Sequence, residues 1–142
     1  MQRLFVTLLA ATIASASIAQ SRPKSVTGTY FVSWNHEAVC NLEVEQLTDS
    51  TRIHFAVDCN RGAPSYNMGF AEDTAVLARN VAVWHTTEFS GKPCELRMKF
   101  TDGLAAVKQT GSDADCGFGF HVYASGIYKR VSRRKPRFDH QH

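Results

Sequence analysis

The reactive residues of this chain are four cysteines, six histidines and one short acidic run, and their spacing decides what each can do. Cys40, Cys59, Cys94 and Cys116 contain no C-x-x-C pair, which argues against a zinc ribbon or a thioredoxin-type redox site. An even cysteine count in a short exported chain favours disulfides, and a disulfide removes its sulfurs from nucleophilic use. His36, His54, His85 and His121 lack the i, i+4 spacing that lines up ligands on a helix, so they read as solvent-facing. His140-x-His142 can take up a transition metal only weakly, because a terminal segment offers no fixed geometry. Ser112-Asp113-Ala114-Asp115 has the two-spaced carboxylates of a calcium loop without the rest of the ligand set. There is no G-x-S-x-G, and sequence cannot set the distance from Glu88 to a second carboxylate. The reading is a non-enzymatic protein with no cofactor and no metal.

The acidic run is more informative as a contact loop. It ends at Cys116, where a disulfide would hold it, and Phe118, Phe120 and Tyr123 follow. A rigid loop carrying Asp113 and Asp115 beside these aromatics would suit a cationic protein partner.

Charge is divided along the chain. From Gln20 to Tyr128, nine basic residues face twelve acidic ones, net −3; from Lys129 to His142, six basic residues face Asp139 alone, net +5. The overall basic balance therefore belongs to a tail on a mildly acidic body. The tail reads as solubilising, and export makes nucleic acid a poor partner.

Export is itself a reading of the N-terminus. Arg3, the apolar Leu4–Ala11 and small residues ending at Ser17-Ile18-Ala19 form a signal-peptide pattern over residues 1–19, with Ala14-Ser15-Ala16 as a rival cleavage site. The apolar part falls short of the roughly 20 residues that span a bilayer. The expected organisation is a disordered lead at 20–27, one domain at 28–131 and a basic disordered tail at 132–142, in a periplasmic or secreted protein.

The elements that must position these residues are strands. Cys40, Leu42 and Val44 alternate with polar neighbours, as do Ile53, Phe55, Val57 and Cys59. A hairpin turning at Asp49-Ser50 sets Leu42 opposite Val57, Val44 opposite Phe55, Gln46 opposite Ile53 and Cys40 opposite Cys59. Because the side-chain period is two, one register satisfies burial and sulfur pairing together. This predicts a Cys40–Cys59 bridge, and with four cysteines Cys94–Cys116 follows.

A second hairpin is expected over Thr74–Ala78 and Val81–His85, with a short strand at Tyr66–Phe70 and a helix over Ala71–Ala78 as the rival. The third turns at Asp102-Gly103, a strong hairpin signal, between Leu96–Phe100 and Ala105–Val107. His121–Tyr123 and Gly126–Val131 would supply the last strands. Gly28-x-Tyr30 and Gly126-x-Tyr128 echo each other, as the neighbouring ends of a closed meander would. The expected fold is all-β: a small antiparallel up-and-down β-barrel of about eight strands with two disulfides.

Cys116-Gly117-Phe118-Gly119, Val122-x-Ala124-x-Gly126-x-Tyr128-Lys129, Cys94-x-Leu96-x-Met98-x-Phe100 and Val107-x-Gln109-x-Gly111-Ser112 resemble small exported bacterial domains. Some of these are similar to the C-terminal parts of periplasmic lysozyme-inhibitor-like proteins. The resemblance implies a β-barrel with stapled hairpins that binds a lysozyme-type cell-wall hydrolase. The alternative is a lipocalin-like carrier of a small apolar ligand, for which bulky Leu42, Phe55, Met98 and Phe100 would have to leave room.

Overall fold

A computed structural model describes residues 24–35 and 37–138. The signal-peptide pattern, residues 20–23, His36, His140 and His142 lie outside the described residues.

Eight strands follow in chain order: β1 (Gly28–Ser33), β2 (Val39–Gln46), β3 (Arg52–Asn60), β4 (Met68–Ala78), β5 (Val81–Thr86), β6 (Cys94–Thr101), β7 (Leu104–Thr110) and β8 (Gly126–Ser132). Each pairs antiparallel with the next, and β8 returns to β1, closing an up-and-down barrel. Closure makes the first and last strands neighbours, and because β1 and β8 run antiparallel, the Gly28-x-Tyr30 and Gly126-x-Tyr128 starts fall at opposite ends of the barrel. Period two separates the faces: Leu42, Val44, Ile53, Phe55, Val57, Leu96, Met98 and Phe100 all point into one buried core.

The β2–β3 register sets Cys40 opposite Cys59, Leu42 opposite Val57, Val44 opposite Phe55 and Gln46 opposite Ile53, as the alternation requires. Cys40–Cys59 and Cys94–Cys116 are both bridged. At the third hairpin Thr101 pairs with Leu104, so Asp102-Gly103 is a two-residue turn. Gly103 takes φ 76°, a left-handed conformation that a side chain would strain.

Four segments differ from the expectation. Tyr66–Phe70 and Thr74–Ala78 are not separate pieces; residues 68–78 form one eleven-residue strand. His121–Tyr123 is not a strand, and β8 begins only at Gly126. The two flanks expected to be disordered pack on the barrel where they are described. Val26 is buried in the core, and Pro136 is buried in the tail.

The non-strand run 117–125 has a structural reason. β4 and β5 pair over only three residues, Val76–Ala78 with Val81–Val83, so the rest of β4 has no β5 neighbour. The 117–125 segment meets that free stretch: Gly119 N donates to Met68 O (2.8 Å), and the buried Phe118 ring lies against Gly69.

Candidate functional site

The two carboxylates singled out in the sequence hold this segment together. Asp113 accepts from the backbone N–H groups of Ala114 and His121, bridging the short 3-10 turn Ala114–Cys116 to the residues beyond it. Asp115 accepts from Ser90 Oγ and from Ser112 N (2.9 Å), tying the turn to the β5–β6 loop. The Ser90 hydroxyl, then the Ser112 amide and hydroxyl, lower the Asp115 pKa from 3.8 to about 2. A carboxylate that accepts several N–H and O–H groups is stabilised in its charged form, and here that serves loop architecture. Phe118 serves it too, being buried.

Phe120 and Tyr123 are different. They are 69% and 48% exposed, and they share one end of the barrel with Trp34 (38%) and Tyr66 (63%). Exposed aromatics gathered on loops are the feature that most often marks a protein contact. The loops are laced to each other: Asn67 Nδ2 donates to Phe120 O (2.8 Å), and Arg61 N donates to Asn67 O (2.9 Å). Trp34 follows directly on β1, where its N–H donates to Ala38 O (3.0 Å) and closes the β1–β2 turn. Its indole lies over Gly126, where an added Cβ would come within 2.7 Å of the ring. Glycine at 126 is what lets the tryptophan fold back across the mouth of the barrel.

Two of these aromatics, Trp34 and Tyr123, line a cleft of about 280 Å³ together with Asn60, Arg61, His121 and Ser125, with the Cys40–Cys59 bridge in its wall. Polar groups in and around it are fixed by the scaffold. Gln109 N donates to Ser125 Oγ (2.9 Å) and Ala124 N donates to Gln109 Oε1 (2.9 Å). Tyr128 OH donates to Ala124 O (2.7 Å), and burial pushes that hydroxyl's pKa well above its ordinary 10.0. Arg61 is the charged residue among those lining the cleft, and Glu37 lies against Gly62 beside it.

Of the five residues proposed from sequence, the structure brings Phe120 and Tyr123 into the cleft end and uses Asp113, Asp115 and Phe118 beneath it. Trp34, Arg61 and Tyr66 were missed. Trp34 lies just past the end of β1, where the Asn35-His36-Glu37 interruption of the strand pattern begins one residue later.

His54 and His85 face outward and pair with Glu72 (3.0 Å) and Glu95 (3.7 Å). Among the described residues, no three His, Cys, Asp or Glu side chains converge as a ligand set, and no helix is long and apolar enough to cross a membrane. Fold and site together define a small disulfide-stapled closed antiparallel β-barrel with an aromatic loop end. No family model, curated protein or solved structure matches the chain.

Proposed function

We propose that this is a non-enzymatic binding protein of the periplasm or the secreted space, which docks a protein partner with the loop end of the barrel. The observation that carries the reading is Trp34, Tyr66, Phe120 and Tyr123 standing exposed together on loops held by two disulfides. Rigid amphipathic rings give contact area at low entropic cost; the Cys94–Cys116 staple ties the loop that carries Phe120 and Tyr123 to β6, and Cys40–Cys59 joins the strands below Trp34 and Tyr66. The interior supports docking over carriage: Leu42, Phe55, Met98 and Phe100 are each at most 3% exposed and packed in the core.

The partner implied by the resemblance is a lysozyme-type cell-wall hydrolase. With the tail packed on the barrel, residues 24–138 carry fourteen basic against twelve acidic side chains, so such an enzyme would be held by the aromatic end rather than drawn by overall charge. The test is titration of the chain from Gln20 onward with lysozymes of several types, alongside Tyr123→Ala and Phe120→Ala. The expected result is saturable binding to one type, weakened by about tenfold or more in each variant, as for contact residues worth 1.4 kcal/mol. Binding to none of them removes the hydrolase as partner. Binding unaffected by both variants removes the loop end as the surface.

A further inference from the structure

The C-terminal run, expected to be a free solubilising tail, lies on the barrel wall. From Ser132, which pairs with Thr29 of β1, the chain crosses β2 and β3. Lys135 Nζ meets Glu45 Oε1 on β2 (2.7 Å), Pro136 is buried, and the Phe138 ring stacks on His54 of β3 (4.1 Å between centroids, 30° between planes). His54 is in turn held by Glu72 on β4. In the sheet register Glu43, Ala56 and Glu72 form one outward row, and Glu45, His54 and Thr74 form the next. The tail therefore crosses a face on which three of these six outward side chains, Glu43, Glu45 and Glu72, are carboxylates. Alongside it lies an open hollow of about 210 Å³ lined by Thr29, Asn41, Glu43, Ala56 and Asp58.

These contacts hold a segment without locking it. The Lys135 side chain is 69% exposed, and exposed ion pairs contribute only about 0–1 kcal/mol each. One stacked ring adds about as much. A strap of this strength is open for an appreciable fraction of the time.

We propose that residues 133–138 are a displaceable strap, and that the wall beneath them is a second docking surface, distinct from the aromatic end. It takes a cationic polypeptide segment of the strap's own kind. The strap shows what the surface accepts: an ammonium on Glu45 and an aromatic ring on His54, separated by a proline-containing spacer. By covering the wall, the strap reserves it for segments that bind better than the chain's own end.

The probe is a labelled peptide of the chain's own residues 132–142, offered to the full chain. In the Lys135→Ala/Phe138→Ala chain the strap is released, and the peptide should bind about tenfold more tightly than to the unaltered chain, since an occupant in cis lowers apparent affinity by the open fraction. Adding Glu45→Gln should return the affinity to the unaltered level. Glu45→Lys combined with Lys135→Glu re-forms the pair in reverse and should again exclude the peptide. These variants touch only surface side chains, so the barrel's unfolding transition should stay in place. Equal binding to the released and unaltered chains overturns the proposal. So does equal binding of a peptide with the same composition in scrambled order, which would reduce the wall to a diffuse charge effect.

Discussion

Tyr30 and Tyr128 perform the same task at the two ends of the barrel, and the difference in what surrounds them separates scaffold from site. Each follows a Gly-x pair at the start of a terminal strand, and each donates its hydroxyl to the carbonyl four residues upstream at 2.7 Å. Tyr30 thereby fastens Val26 at the entry to β1, and Tyr128 fastens Ala124 at the entry to β8. At the Tyr30 end, Arg130 Nε donates to the phenol oxygen (2.9 Å) with its guanidinium over the ring, and Lys24 pairs with Asp102 (3.0 Å). Those partners satisfy one another. At the Tyr128 end the neighbours are Trp34, Tyr123 and the open cleft, with apolar area left uncovered. An identical fastening device thus closes one end with charge and frames an aromatic surface at the other.

The comparison can be broken most forcefully through the staples. Replacing Cys40 and Cys59 by alanine, or Cys94 and Cys116, should each cost about 3 kcal/mol in urea denaturation, because the closed loops are similar, with separations of 19 and 22 residues. Both pairs support the aromatic end, so both variants should also weaken partner binding. A loss confined to one pair would show that the end is not built as a unit.

The tyrosines come next. Tyr128→Phe should cost about 1–3 kcal/mol, since it leaves the buried Ala124 carbonyl without a donor. Tyr30→Phe should cost about 1 kcal/mol, because Arg130 and water can reach the vacated position. Burial raises both hydroxyl pKa values; at Tyr30 the Arg130 hydrogen bond and charge oppose the rise. A group whose folded pKa is raised stabilises the fold fully below its unfolded value of 10.0 and loses that contribution as pH climbs through the folded value. Stability should therefore decline above pH 10, and Tyr128→Phe should flatten that alkaline limb more than Tyr30→Phe does.

Asp115 gives the opposite limb. Its pKa is lowered, so its contribution is present above 3.8 and disappears as pH falls toward about 2. Asp115→Asn should make the acid limb between those values shallower in a thermal-shift series, and Asp49→Asn, at the far β2–β3 turn, should leave the 117–125 segment's hydrogen-exchange protection unchanged. The smallest effect on folding belongs to Phe120→Ala, expected within about 0.5 kcal/mol of the unaltered chain although it removes an exposed docking ring.

The β2–β3 hairpin was legible because two independent patterns, apolar alternation and a cysteine pair, demand the same register. Closure was legible in the succession of hairpins, which leaves the first and last strands to pair with each other. The 117–125 segment was not, since its path is set by long-range partners: Met68 O for Gly119 and Asn67 for Phe120. Aromatic and β-branched residues at 121–123 favour a strand locally, and tertiary hydrogen bonds override them. The single long β4 was obscured by Ala71-Glu72-Asp73, poor strand formers whose Asp73 carboxylate accepts from Trp84 Nε1 (2.8 Å). The tail read as solvated because an arginine-rich run carries no local sign of Glu45 or His54. Half of the candidate site was visible as aromatic content near a staple; its other half, Trp34, Arg61 and Tyr66, arrives from loops distant in sequence.

The chain's two tryptophans divide between site and core: Trp34 at the aromatic end, Trp84 8% exposed against Phe55. Acrylamide quenching of Trp84→Phe and Trp34→Phe chains, each with and without a lysozyme that binds and carries silent fluorinated tryptophans, tests the docking surface directly. Trp34 should shift to the blue and become shielded on binding while Trp84 stays unchanged. Binding that leaves Trp34 as open to quencher as before would contradict a partner seated on the loop end.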